Sequence, residues 1–313
     1  MDSPRILVIR FSAIGDCVMT AWAVTSIRQK LPSARIDWAV EPRCSAVIDT
    51  MQLVNEKLEY DRPRWKRTRS LSQKIREQYR FFVNLRKREY DWGIDFQGHS
   101  KTAICLRLAR PRKRLMVRAT DEFAKRLNPY LPTLRAPVHT VELNQSALSE
   151  FGEFKMSLKP IMPRKDRMEV QLPDGRYVVI AVGAGQSDKT WSIDRWTLAA
   201  EQLLQANVPV VFVGGPEGPM PLGKFDFDYV GKTNLETTIE IVARSGLVFC
   251  GDTGVGHLAA AYGVPGVSIF GPTDPAVFRP YSSRSTVLRR GMACNNISVE
   301  EGLEAVFKRL GVV

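Results

Sequence analysis

Short runs of β-branched and aromatic residues recur along the chain, and each is followed by a segment with helical spacing of its apolar positions. In the first half the runs are Ile6 to Arg10, Ile36 to Val40, Trp92 to Phe96 and Arg114 to Val117; in the second they are Tyr177 to Val182, Val208 to Val213, Leu247 to Cys250 and Val267 to Phe270. Uninterrupted apolar strands alternating with helices predict parallel sheets covered on both faces. Between the first two runs, Val18, Ala21, Val24, Ile27 and Leu31 step by three and four, which predicts a helix with one stripe against a sheet, ended by Pro32. Ser298 and Glu301 form a capping box that predicts a last helix through Leu310.

The passage "KPIMPRKDRMEVQLPDG", residues 159–175, reads as a linker. With 313 residues the chain suits two α/β domains, expected over 1–160 and 161–313, with the last helix free to pack back on the first. No apolar run is long enough for a membrane helix, and the first ten residues lack a secretory pattern. Five scattered cysteines form no C-x-x-C and stand at no metal-ligand spacing with the three histidines, so reduced thiols in a cytoplasmic protein are expected, with no metal.

The net charge of +12 is uneven. Arg62 to Arg88 holds eleven Lys or Arg and one acidic residue, Glu77. Trp65, Tyr79, Phe81 and Phe82 interleave with that charge, which predicts an amphipathic segment drawn to phosphorylated lipid or an anionic membrane surface. No nucleic-acid-binding module accompanies it, so nucleic acid is not expected as a partner.

In doubly wound folds ligands collect beyond the carboxyl ends of the strands. Asp16, in "IRFSAIGDC", follows the first strand and opens a helix; it is either an ordinary helix cap or a general base. Gln97 and Lys101 follow the third strand in "DFQGHSKTA", as apt to be structural as to touch a substrate. Lys189, in "VGAGQSDKTW", can reach an anion gathered by a loop of small residues, although the P-loop spacing is absent. Glu217, in "VFVGGPEG", can accept both hydroxyls of a ribose or simply belong to a surface turn. In "CGDTGVGHLAAAYGVPGVSIFG", Asp252, Thr253, Gly254, Val255, Gly256 and His257 surround a helix start whose N–H groups suit a phosphate. Gly254, Gly256 and Ala259 also match a dinucleotide fingerprint, but too little chain follows for a complete dinucleotide fold.

Taken in order, "SAIGD" (12–16), "DFQGHSKTA" (95–103), "SDKTW" (187–191), "GDTGVGHLAAAYGVP" (251–265) and "FGPTDP" (270–275) resemble glycosyltransferase family 9, the ADP-heptose:lipopolysaccharide heptosyltransferases. The resemblance implies the GT-B fold: two Rossmann-like doubly wound domains facing across a cleft, acceptor on the first and nucleotide-sugar on the second. It implies an inverting transfer of heptose from ADP-heptose to a sugar hydroxyl of the lipopolysaccharide inner core, with no cofactor and no metal. Asp16 would deprotonate the acceptor. Lys189 would hold the donor diphosphate, Glu217 the ribose, Thr233 the adenine region, Asp252 the heptose, and Thr253 to His257 the phosphates.

Arg62, Arg64, Lys66, Arg67, Gln97 and Lys101 would meet a phosphorylated, lipid-linked oligosaccharide acceptor. The resemblance also implies a cytoplasmic enzyme, with peripheral attachment to the inner membrane as one form of that. Two departures stand out: Val182-Gly183-Ala184 lacks the proline that commonly precedes the glycine, and Trp22 replaces a usual proline. Other outcomes to be separated are a GT-B nucleotide-sugar epimerase, a transferase using another nucleotide-sugar, an NAD-dependent oxidoreductase, and a noncatalytic binding protein.

Overall fold

The computed structural model describes residues 3–132, 137–164, 169–183 and 187–312. The chain separates into two compact units, Met1–Pro163 and Arg164–Val313. Each carries one five-stranded, all-parallel sheet.

In the first unit the elements run β1 (Arg5–Ile9), α1 (Ile14–Lys30), β2 (Arg35–Val40), α2 (Ser45–Met51), β3 (Glu56–Glu59), α3 (Arg62–Arg67), α4 (Leu71–Arg86), β4 (Trp92–Asp95), α5 (Ser100–Ala109), β5 (Lys113–Met116), α6 (Glu122–Leu127) and α7 (Thr140–Ser146). The strand order is β3-β2-β1-β4-β5. All four predicted strands are present. The fifth, β3, reads "EKLE" and pairs with β2 from Asp37↔Glu56 to Val40↔Glu59. It is an edge strand with no fully buried residue, so it lacks the apolar run that marks the others.

The predicted single stripe on α1 is too narrow. Every residue from Cys17 to Ile27 is buried, because α7 and the segment at 157–161 cover the side away from the sheet. Asn144 and Gln145 of α7 donate side-chain hydrogen bonds to Thr20 and Ser26. Ser157 N–H and Ile161 N–H donate to the hydroxyls of Ser26 and Thr25, at 3.0 and 3.1 Å. The Trp22 indole donates to the Leu158 carbonyl, which gives this departure from the usual proline a packing role. The first part of the expected linker is therefore a strap packed on α1. Residues 165–168 of that passage lie outside the described residues.

The second unit continues with β6 (Val178–Ala181), α8 (Ile193–Gln205), β7 (Val210–Val213), α9 (Leu235–Arg244), β8 (Leu247–Gly251), α10 (Gly254–Tyr262), β9 (Gly266–Phe270), α11 (Pro275–Phe278), β10 (Ser285–Arg289) and α12 (Val299–Leu310). Its strand order is β10-β9-β8-β6-β7. Again four strands match the sequence reading and the edge strand, β10, does not show in it. The capping box on α12 is formed: Ser298 N–H donates to Glu301 Oε2 at 2.8 Å, and Glu301 N–H to Ser298 Oγ at 3.2 Å.

The last helix belongs to the core of this second unit, to which it gives Val299, Leu303, Val306 and Leu310. A Cβ at Gly302 would stand 2.5 Å from the Trp191 ring and 2.8 Å from that of Phe249, so the approach requires glycine.

These orders fix where chemistry can sit. In the first sheet the chain reverses direction of growth between β1 and β4, and in the second between β6 and β8. Loops diverge there and leave a crevice at the carboxyl ends.

Candidate functional site

The β1/β4 crevice is bordered by Arg10 and Asp16 from the first loop and by Gln97 from the second. Asp16 sits in the first turn of α1, where the helix dipole favours a carboxylate. It is not the cap residue, which is Ala13; instead Asp16 Oδ2 accepts the Ala13 N–H at 3.2 Å. The Arg10 guanidinium pairs with the same carboxylate, and its Nη1 donates to the Phe96 carbonyl at 2.6 Å. In this pair the cation is buried and the carboxylate reaches out: the side chains are 8% and 26% exposed.

Gln97 Oε1 accepts the Phe11 N–H at 2.9 Å, tying the two loops together. Beneath it Asp95 Oδ1 accepts the N–H groups of Gln97 and Gly98, at 2.8 and 3.0 Å. Burial pushes the Asp95 carboxyl up to about 6, against the pull of the hydrogen bonds from Gly98, Thr102 and Gln97. Lys101 is exposed on α5.

The β6/β8 crevice holds the second pair. Lys189 closes a one-turn 3₁₀ helix, Ser187–Lys189; Ala184, Gly185 and Gln186 before it lie outside the described residues. Lys189 Nζ stands 3.3 Å from Asp252 Oδ2, and here the exposure is reversed, 25% for the amine and 8% for the carboxylate. The backbone draws the same two residues together, since Asp252 N–H donates to the Lys189 carbonyl at 3.0 Å. Gly251 makes this approach possible: a Cβ there would lie 2.4 Å from that carbonyl oxygen. Thr273 Oγ1 donates to Asp252 Oδ2 at 2.5 Å. The Trp191 indole, bonded to the carbonyls of Cys294 and Ile297, anchors the chain just after Lys189.

Thr253 caps α10, and Gly254, Val255, Gly256 and His257 form its first turn, in which the N–H groups of Gly254, Val255 and Gly256 are not used within the helix. His257 is buried. A Cβ at Gly256 would meet Cys250 Sγ, Pro280 Cγ and Ser268 Oγ within 3.1–3.3 Å, so this glycine of the fingerprint look-alike serves helix-to-sheet packing. Glu217 is exposed in the turn closed by Gly218 N–H on the Gly215 carbonyl. Thr233 lies before the Asn234 cap of α9, its hydroxyl 3.0 Å from that of Thr238.

The basic stretch departs from its sequence reading. Its aromatic residues divide between core and surface. Trp65 is buried, edge-on to Tyr60, and Phe81 and Phe82 pack on the same ring, which in turn stacks on Phe11 at 4.4 Å. What α4 exposes is a stripe of Leu71, Ile75 and Tyr79, with Arg76 and Arg80 beside it.

Arg88 is tied to Asp37 and Glu56, and it holds the Glu56 carboxyl below its usual range. Arg64 pairs with Glu77 at 3.2 Å, and Arg67 is exposed. The side chains of Arg62 and Lys66 lie outside the described residues. Among the described residues no helix is long and apolar enough to cross a membrane, and no group of three His, Cys, Asp or Glu could hold a metal ion.

Two residues absent from the sequence reading, Arg10 and Arg118, flank Asp16. Arg10 read as the end of a strand. Arg118 follows β5, two strands away from β1, and only the order of the sheet brings it near.

A model of one family, described as glycosyltransferase family 9 (heptosyltransferase), matches residues 78–304. Lipopolysaccharide heptosyltransferase 1 of Escherichia coli K12 is 26% identical over 303 residues, covering 91% of this chain and 93% of that protein. Among solved structures, Escherichia coli heptosyltransferase WaaC with ADP is similar with a TM-score of 0.78 at 23% identity, over 97% of this chain and 99% of that one. A glycosyltransferase family 9 protein from Veillonella parvula gives 0.82 at 17% identity, over 99% and 98%. The likeness shows the fold, GT-B, built of two Rossmann-like units.

Proposed function

The chain belongs to glycosyltransferase family 9, and from that premise we propose that it transfers heptose from ADP-heptose to a sugar hydroxyl of the lipopolysaccharide inner core, with inversion at the anomeric carbon. The observation that carries the division of labour is the reversed exposure of the two ion pairs. A carboxylate backed by a buried guanidinium can accept a proton from an incoming hydroxyl. An amine backed by a buried carboxylate can meet an incoming diphosphate.

In this reading Asp16 takes the acceptor proton as the oxygen attacks the anomeric carbon, and ADP departs from the opposite face. Lys189 and the N–H groups at the start of α10 neutralise the charge growing on the diphosphate, where electrostatic stabilisation acts most. Asp252 steadies Lys189 and faces the heptose, with Glu217 at the ribose and Thr233 near the adenine. No cofactor or resident metal takes part. Arg62, Arg64, Lys66, Arg67, Gln97 and Lys101 meet the phosphorylated, lipid-linked acceptor. The enzyme works in the cytoplasm, peripherally at the inner membrane, and the exposed α4 stripe flanked by arginines supports that placement.

The test is ADP release from ADP-heptose with a heptose-free inner-core acceptor, with and without EDTA, and the anomeric configuration of the product. Release that needs a divalent ion, or a retained configuration, overturns the mechanism. Thermal shifts with ADP, UDP, GDP and NADH separate this reading from a different nucleotide-sugar or a nicotinamide enzyme. A ligand at ~100 Kd adds about 2.7 kcal/mol, and ADP alone should do so.

A further inference from the structure

The Asp16 carboxylate is held from both sides of one aromatic residue. Arg10, which pairs with it, precedes Phe11, and Ala13, whose N–H it accepts at 3.2 Å, follows two residues later. Where Phe11 stands therefore decides where both holders stand. Its backbone is tied to the neighbouring loops, donating to Gln97 Oε1 at 2.9 Å and accepting the Glu41 N–H at 3.0 Å. Its buried ring lies flat on Tyr60, with centroids 4.4 Å apart and planes 7° from parallel.

Sheet register sets that stack. Ile9 pairs with Ala39 and Ala39 with Leu58, so these three side chains share one face at one level. Phe11 and Tyr60 each stand two residues further along, and a period of two returns both to that face. β1 and β3 are second neighbours, about 10 Å apart, and the two rings close the gap between them. Tyr60 is itself fixed. Its N–H donates to the Val40 carbonyl at 2.8 Å, Trp65 of α3 meets its ring edge-on at 4.6 Å, and Phe81 of α4 does so at 5.3 Å.

Resting on the reading that Asp16 is the base, we infer that Tyr60 is a positioning residue for the transfer. Its ring braces Phe11, so that Arg10 and Ala13 hold the Asp16 carboxylate aimed at the attacking hydroxyl. Tyr60 touches no reacting atom in this role, and it serves through its flat face rather than its hydroxyl. Aim matters, because a displacement of about 1 Å at a reacting group can cost ~100-fold in rate.

The experiment compares Tyr60→Leu, Tyr60→Phe, and Tyr60→Leu combined with Asp16→Asn. In Tyr60→Leu kcat should fall by roughly 10- to 100-fold with ADP affinity by calorimetry unchanged, and Tyr60→Phe should keep the wild-type value. In the Asp16→Asn background the same leucine should lower kcat by less than about threefold, because no base is left to aim. A general loss of stability would not produce that non-additivity. Hydrogen exchange read by mass spectrometry needs no substrate. In Tyr60→Leu the first turn of α1, where Cys17 N–H donates to the Ala13 carbonyl at 2.9 Å, should exchange faster while α7 keeps its wild-type rate.

The inference is overturned by wild-type turnover in Tyr60→Leu, by a full further loss in the Asp16→Asn background, by a Tyr60→Phe as impaired as Tyr60→Leu, or by unchanged exchange at the start of α1. If that exchange quickens as expected but the wild type transfers no heptose, the brace stands and the functional reading falls.

Discussion

The two units present the same pair of charges in opposite senses. At the β1/β4 crevice a buried arginine stands behind an accessible carboxylate; at the β6/β8 crevice a buried carboxylate stands behind an accessible lysine. A buried partner fixes the position of the exposed one and sets the sign of what it can attract. The same topology thus supplies a basic oxygen in one unit and a cationic nitrogen in the other. Neither pair has to change fold to do so, because both grow from loops at a reversal of strand order.

The largest separation between the two corners is expected from Asp16→Asn. The amide keeps the shape and can still accept the Ala13 N–H, but it cannot take a proton. Turnover should fall by about 10²- to 10⁴-fold, the usual range for general-base assistance, with ADP affinity by calorimetry unchanged. Full turnover in the Asp16→Asn variant would end the assignment.

A second contrast concerns pH. The Asp95 carboxyl, lifted to about 6 by burial, belongs to the first unit. Unfolded, it titrates at ~3.9. Between about pH 4 and 6 the folded state therefore holds one proton more than the unfolded state, so stability is greatest below this window and falls as pH rises through it. The shift corresponds to something on the order of 3 kcal/mol. Urea unfolding at pH 4 and pH 7 should show the loss in the wild type and a much smaller one in Asp95→Asn. Identical pH dependence in the two proteins would refute the buried-proton account.

Lys189→Gln addresses the other corner. It should weaken ADP by roughly 10- to 100-fold, as loss of a charged hydrogen bond to phosphate does, and leave the acceptor KM in place. If the acceptor KM moves instead and ADP binds as before, the assignment of roles to the two pairs is reversed.

How far this was readable beforehand depended on burial. Of the eight strands that show as apolar runs, six are interior to their sheets, where a parallel strand covered on both faces has no polar side to display, and the edges β5 and β7 show because part or all of their run is buried. β3, "EKLE", and β10, "STVLR", are edges and keep their polar residues, so they vanish into the background. The α1 stripe was legible, but its burial all round was not, since Asn144, Gln145 and the strap that cover it are distant in sequence.

The aromatic residues of the basic stretch misled for a related reason. Charge density along the chain gives no warning that Trp65 and Phe81 turn inward onto Tyr60. Asp16, Lys189 and Asp252 stand out as single charges after strands. Arg10 and Arg118 do not, because what they face is decided by the sheet order.

The smallest predicted effect tests how tightly the second pair is held. Thr273 donates to the same Asp252 oxygen that Lys189 approaches. Thr273→Val keeps the volume and removes the hydroxyl, and the carboxylate retains Lys189 as a partner, so no charge is orphaned. The cost should be about 1 kcal/mol in stability, the net value of one hydrogen bond. Asp252 would then lean more on Lys189 and compete with the diphosphate, lowering ADP affinity by less than about fivefold. An ADP affinity that rises in Thr273→Val would mean that the hydroxyl pulls the carboxylate towards Lys189 rather than away from it. In that case the carboxylate is a restraint on the lysine only while Thr273 holds it there, and the resemblance between the two corners would be one of charge but not of rigidity.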